Sequence, residues 1–219
     1  MIDQLVIFAK YPQPGTVKTR LAARIGDEAA ADLYGRFIEW ILTTMCHSRV
    51  AERVVVAVSP QHVVHRFASR YPGADAYEPQ AESSDLGERM LAVFEQARRQ
   101  GVRKTVIIGT DSPTLPPDYV RQAFAILDSH DVVLGPAEDG GYYLIGAKEA
   151  HADLFRGIPW STAQVLQKTL AALQRLQLRH ALLPEFFDVD EIDDLHRLRE
   201  QAPELVAEME MLIRTEPKP

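Results

Sequence analysis

The sequence predicts an α/β protein: a three-layer α/β/α sandwich around a mostly parallel, mixed sheet of the Rossmann-like kind. Three observations carry the prediction. Short apolar, β-branched runs alternate with amphipathic helical stretches along the chain. Val106-Ile107-Ile108 and Val132-Val133-Leu134 are continuously apolar, as strands covered on both faces are. Each of these runs then leads to an acid beside small residues, Thr110-Asp111-Ser112 in one case and Asp139-Gly140-Gly141 in the other. That edge is where open α/β sheets hold their ligands.

Taken in order, Leu5 to Ala9 predicts a first strand, and Lys10-Tyr11-Pro12-Gln13-Pro14-Gly15 a loop that its prolines and glycine keep irregular. Val17 to Leu21 has helical character. A longer helix follows, with Asp27 as its N-cap and a buried stripe of Ala30, Leu33, Tyr34, Phe37, Ile38, Ile41 and Leu42. Val54 to Val58 predicts the second strand, and Ser59-Pro60 reads as an N-cap followed by proline at the first helical position. That helix carries His62 and His65 and stops before Tyr71-Pro72-Gly73. Ala74 to Glu78 is a weaker third strand, and a helix from Leu86 to Gln100 leads into the central strand, Thr105 to Ile108. Beyond a helix-like segment come the strands Val132 to Leu134 and Tyr142 to Ile145. Ser161 with Gln164 matches a capping box, ahead of a helix that buries Leu166, Leu170, Leu173 and Leu176. Leu178 to Leu183 predicts a late strand, Ala202-Pro203 splits two final helices, and Glu216 to Pro219 reads as a frayed tail.

Composition narrows the function classes. With 46% hydrophobic and 25% charged residues the chain is of ordinary globular kind, and 1–219 suits one domain. A net charge of -7 argues against the basic surface of a nucleic-acid binder, so a phosphate-bearing substrate needs a local cation or a metal. Cys46 is the single cysteine, which rules out an internal disulfide and reads as a buried, inert thiol. No apolar run approaches the ~18 residues that span a bilayer, and no leader pattern opens the chain, so a cytoplasmic protein is expected. The seven histidines have no cysteine partners and no H-x-x-x-H pair, against a zinc site. No G-x-S-x-G elbow supports a serine hydrolase.

Three groups of residues remain for chemistry. Lys10, Lys18 and Arg20 surround Pro14-Gly15, and this loop reads either as an anion cradle at a helix start or as a solvated basic turn. Neither a P-loop nor a dinucleotide fingerprint fits it, because Val17 and Pro12 stand where a P-loop needs glycine and only Gly15 is present. Asp111 follows a buried strand, where a functional acid outweighs a turn aspartate. Asp139-Gly140-Gly141 is either a hairpin turn or, with Tyr142-Tyr143 beside it, backbone passing close to a ligand. In Asp188-Val189-Asp190 the period of two puts both acids on one side, although Asp190 serves equally well as a helix N-cap. Paired aspartates at a sheet edge are a simple way to hold a hard divalent cation and, through it, phosphate oxygens. Trp160 packs, or lines a cavity beside Ser161.

Together, Phe8 to Leu21, Gly109-Thr110-Asp111-Ser112-Pro113-Thr114-Leu115-Pro116, Gly135 to Gly146, Pro159-Trp160-Ser161-Thr162 and Asp188-Val189-Asp190 resemble a bacterial family of glycosyltransferase-A-fold transferases. Some of its members are assigned to arsenosugar biosynthesis, and the fold is similar to the guanylyltransferases of molybdenum-cofactor and coenzyme F420 biosynthesis. The resemblance covers nearly the whole chain. It implies a nucleotide-diphospho-sugar transferase (GT-A) fold and a magnesium- or manganese-dependent transferase, a glycosyltransferase first and a nucleotidyltransferase as the alternative, with a non-catalytic nucleotide-binding protein as the third reading. Its partners would be a nucleotide sugar or nucleoside triphosphate and a small-molecule acceptor. By that likeness Lys10, Pro14, Gly15, Lys18, Arg20, Ser112, Gly140 and Gly141 contact the nucleotide and its phosphates. Asp111 stands in for the metal-binding acid, Asp188 or Asp190 supplies a second carboxylate, Lys18 offsets leaving-group charge, and Asp139 is the general base. Glu191 departs from the threonine that relatives carry after Asp190.

Overall fold

Among the residues described, 2–207 of a computed structural model, seven strands form one mixed sheet. They are β1 (Asp3–Lys10), β2 (Arg53–Ser59), β3 (Ala76–Pro79), β4 (Lys104–Ile108), β5 (Val132–Pro136), β6 (Tyr142–Ala147) and β7 (His180–Leu182). Their order is β3-β2-β1-β4-β6-β5-β7. β6 runs antiparallel to both β4 and β5, and the other pairings are parallel. The chain moves outward from β1 through β2 to β3 and then returns to place β4 on the other side of β1. The order therefore reverses between β1 and β4, and a crevice opens at their carboxyl ends.

Side chains alternate across the sheet, and each set meets a different helix layer. Leu5, Ile7, Val54, Val56, Val106 and Ile108 share a core with α2 (Asp27–His47), α5 (Pro117–Ile126) and α8 (Ile192–Gln201). Val6, Val55, Ile107, Leu134 and Ile145 share the other with α4 (Leu86–Arg99), α6 (Ala152–Phe155) and α7 (Val165–Arg175). This is the expected three-layer arrangement around a mixed sheet. The remaining helices are α1 (Thr19–Ile25), α3 (Val64–Arg70) and α9 (Pro203–Val206). No helix among the described residues is long and apolar enough to cross a membrane. The expected frayed tail, Glu216 to Pro219, lies outside the described residues.

Helix starts depart most from expectation. Gly26, with φ 89°, takes the cap position of α2, so Asp27 is the first helical residue. Ser59 stays in β2 opposite Lys10, its carbonyl accepting from the Tyr11 amide at 2.8 Å, and pairing there displaces the cap. A 3₁₀ turn, Gln61–Val63, then precedes α3. No Ser161–Gln164 box forms, because Ser161 is left-handed at φ 63°, and Thr162 accepts from the Gln164 amide at 3.3 Å instead. α7 buries Val165, Thr169, Ala172 and Leu173, while Leu166, Leu170 and Leu176 pack half-buried at its margin. The cap before α8 is Glu191 in a reciprocal box with Asp194, which leaves Asp190 outside that role. Cys46 is half-buried rather than buried, and burial pushes its thiol pKa up.

Candidate functional site

A cavity of about 840 Å³ opens at the carboxyl ends of β1 and β4, and Lys10, Lys18, Arg20, Asp111, Asp188 and Asp190 all line it. Residues so distant in sequence meet there because the segment after β7 continues along the sheet. The Phe186 amide donates to the Pro136 carbonyl at 3.0 Å, and the Glu138 amide to the Phe186 carbonyl at 3.1 Å. The Val189 amide then donates to the Asp111 carbonyl at 2.8 Å, tying the segment to the loop after β4. Val189 is fully buried, so its neighbours Asp188 and Asp190 turn the other way, toward the cavity. Arg197 on α8 braces this arrangement with two bonds to Glu138, at 2.7 and 2.8 Å, and lies 4.0 Å over the Phe187 ring.

Lys18 lies inside the acidic group. Its ammonium contacts the Asp111 carboxylate and sits 2.9 Å from Asp190 Oδ1, with only 2% of its side chain exposed. The rings of Tyr34 and Phe37 lie 5.9 and 5.7 Å away. Burial alone would lower the lysine's pKa, but the two carboxylates prevail and hold it well above its ordinary value. Lys18 itself has φ 48°, a left-handed conformation that a non-glycine residue holds only when its surroundings enforce it. Tyr34 fixes the same wall: its hydroxyl shares a 2.7 Å bond with Thr110, accepts from the Lys10 amide at 3.1 Å, and is raised by burial to about 12.

Asp188 is held above the ordinary carboxylate range. Burial, and then Asp111, push its pKa to about 7, against the opposing effects of Ser112, which donates to it, and Lys18. A carboxyl raised in the folded state takes up a proton that the unfolded chain, at 3.8, has already lost. The protein in chelator should therefore lose stability from this group as pH rises from about 4 to about 7. Melting curves in chelator check this; stability that stays flat or rises across the window contradicts it.

Among the described residues no three His, Cys, Asp or Glu side chains converge into a complete ligand set. The donors come as hard carboxylate oxygens in ones and twos. That suits magnesium, which keeps several waters and takes one or two carboxylates together with substrate phosphates.

The other expected residues divide by position. Lys10 and Arg20 are exposed on the cavity rim, and Ser112 is buried in its wall. Pro14 and Gly15 are not among its lining residues. Asp139 lines the cavity, with Oδ1 accepting from the Gly141 amide at 2.8 Å inside the β5–β6 turn. Gly140 has φ 86°, and a Cβ there would lie 2.3 Å from the Ala163 carbonyl oxygen. The close backbone approach expected for a ligand is thus made by the protein itself.

Sequence reasoning missed Gln80 and Arg89 on the far wall, although it named Trp160. Both Nε2 protons of buried Gln80 are taken by the carbonyls of Ala9, at 3.3 Å, and Ala57, at 2.9 Å, which leaves Oε1 to accept from Arg89 Nη1 at 2.8 Å. Arg89 is half-buried with no carboxylate in ion-pair reach among the described residues, and burial lowers its pKa against a pull from Asp85. Trp160 lines the same cavity, packed on Gly87. Gln80 ends a strand just as Asp111 does and was findable by that rule; Arg89 looks like any solvated helix residue in the sequence.

A family profile described as "Uncharacterized protein conserved in bacteria (DUF2064)" matches residues 42–162. A protein of known structure from Desulfovibrio desulfuricans, provisionally described as a nucleotide-diphospho-sugar transferase, is 32% identical, with 97% of this chain and 96% of that one covered and a TM-score of 0.87. The phosphoenolpyruvate guanylyltransferase of Sphaerobacter thermophilus is 26% identical over 121 residues, 55% of this chain and 56% of that protein, so the likeness spans about half of each. A cytidylyltransferase from Leptospira borgpetersenii shares the fold at 12% identity, with a TM-score of 0.57 over 100% of this chain and 99% of that one.

Proposed function

Since the chain belongs to the bacterial family DUF2064, and 97% of it is similar to a protein provisionally described as a nucleotide-diphospho-sugar transferase, we propose that it is a metal-assisted transferase using a nucleotide donor. Its reaction is the movement of a sugar from a nucleotide diphosphate sugar to a hydroxyl of a small-molecule acceptor. The observation that carries this reading is the joining of Asp111 to the Asp188–Asp190 segment at the reversal point of the sheet, in a cavity rimmed by Lys10 and Arg20.

Asp111 and Asp188 are the carboxylates that would hold a magnesium or manganese ion, with Asp190 beside them. Such an ion would supply Lewis-acid stabilisation of the charge that develops on the leaving diphosphate. Lys10 and Arg20 offset the same charge from the solvent side. Lys18 holds Asp111 and Asp190 in position through its ion pairs with both. Asp139, with Oδ1 committed to the Gly141 amide, takes the acceptor's hydroxyl proton on its other oxygen. The nucleoside end of the donor lies toward Gln80 and Arg89, where a guanidinium held by a neutral amide offers hydrogen-bond donors to a ring or sugar oxygen. Arg89→Ala is expected to raise the dissociation constant for the donor about 10- to 100-fold, roughly 1.5–3 kcal/mol. Calorimetric titration measures it, and unchanged affinity removes Arg89 from the donor site.

A second reading, nucleotidyl transfer, is favoured by the half-length likeness to a guanylyltransferase. The two reactions differ in product. Incubation with magnesium and a panel of nucleotide sugars and nucleoside triphosphates, with a range of hydroxylated and phosphorylated acceptors, should release a nucleoside diphosphate from one nucleotide sugar. Release of pyrophosphate from a triphosphate would establish nucleotidyl transfer instead. An arsenosugar-type acceptor belongs in the panel as the finest form of the first reading.

A further inference from the structure

We propose that Lys18 is a tethered cation standing between Asp111 and Asp190 where a second divalent ion would otherwise sit, so that the site takes one divalent ion per chain. The inference rests on the metal-assisted reading above and sets its stoichiometry.

Two-metal sites hold their ions about 3.5–4 Å apart with carboxylates shared between them, each ion neutralising part of the acid cluster. Here one of those bridging positions is filled from within. The Lys18 ammonium touches Asp111 and lies 2.9 Å from Asp190, with three N–H donors to divide between them. It cannot leave cheaply. Its side chain is 2% exposed, the faces of Tyr34 and Phe37 back it, and its backbone is held left-handed at the entry to α1. Moving it out would leave two acids facing one another at the cavity and strip the ammonium of both partners.

The formal charges agree. With all three acids ionised, as a bound cation requires, Asp111, Asp188 and Asp190 carry three negative charges and Lys18 one positive charge, and one divalent ion balances the remaining two before any substrate arrives. The acid outside the lysine's ion pairs is Asp188, which is bonded to Ser112, so the coordination position left open lies between Asp188 and Asp111.

Manganese titration, followed by loss of the free-ion electron paramagnetic resonance signal, counts the bound ions with manganese as the only ligand. Wild type should bind one manganese per chain. Lys18→Met, which keeps the length of the side chain and removes its charge, should bind two, a twofold gain that general damage to the fold does not produce. Lys18→Arg, which restores the charge, should return to one. Two ions in the wild type, or one in a Lys18→Met protein that melts cooperatively, overturns the proposal. If Lys18→Met does not fold, wild type and Lys18→Arg decide: one ion in each supports the tethered cation, and two in either removes it. A wild type that binds none overturns the count proposed here, and the metal-assisted reading then rests on nucleotide binding compared in magnesium and in chelator; a count of two leaves that reading standing and removes only the role given to Lys18.

Discussion

Asp111→Asn is expected to reduce turnover about 10²- to 10³-fold, roughly 2.7–4 kcal/mol of transition-state stabilisation, as loss of one well-placed electrostatic group does. Asparagine matches aspartate in shape, so the Val189 amide keeps its bond to the residue-111 carbonyl and the 188–190 segment stays in place. What disappears is one negative charge at the proposed metal position. The loss should fall on turnover and on metal affinity together, with the acceptor's KM little changed. Some stability goes too, because Lys18 loses one of its two carboxylate partners. The Asp111 side chain is 51% exposed, so this loss should stay near ~1 kcal/mol, as solvent screens the pair. Steady-state kinetics beside a thermal melt separates the two effects. An enzyme that keeps its full rate, or its full magnesium dependence, places the metal elsewhere.

Gly140→Ala is the substitution expected to cost the most stability, about 2–4 kcal/mol from a strained left-handed residue and an overpacked contact. A Cβ at 2.3 Å from the Ala163 carbonyl oxygen, and at 2.8 Å from the carbonyl carbon behind it, meets main chain that cannot rotate aside. That main chain leads into α7, whose Leu166 amide donates to the Gly140 carbonyl at 2.9 Å. The β5–β6 turn and the start of α7 must therefore separate. For a chain of this size each kcal/mol moves the melting temperature about 2–4 °C, so a drop of roughly 5–15 °C is expected. An unchanged melt with weakened nucleotide binding would instead return Gly140 to the ligand site.

The two glycines illustrate what a sequence can and cannot carry. Asp-Gly-Gly beside Tyr-Tyr signals close backbone approach, but not what approaches; at Gly140 the neighbour proves to be residue 163, which only the folded chain supplies, and at Gly141 it is the Asp139 side chain. Asp111 is legible because a continuously apolar strand ends just before it, and Asp188 with Asp190 because a period of two puts both on one side of buried Val189. Lys18 reads as one of three cations in a basic loop. Its bond to Asp190 joins positions 172 apart, and no local pattern announces that pairing. Caps proved less legible than strands, since Ser59 and Ser161 carry good cap chemistry in backbone conformations that do not use it. Gln80 and Arg89 fall between these cases: a polar residue at a strand end is suggestive, while a helical arginine becomes informative only once its neutral partner is known.

The central claim is that the acids joined across the sheet hold a divalent ion that in turn holds a nucleotide. Calorimetric titration of wild type with nucleotide sugars and nucleoside triphosphates, in magnesium and again in chelator, tests it most directly. At least one nucleotide should bind in magnesium, with the heat abolished by chelator and by Asp111→Asn. Nucleotide binding of equal strength with and without the metal, or unaffected by Asp111→Asn, would contradict it.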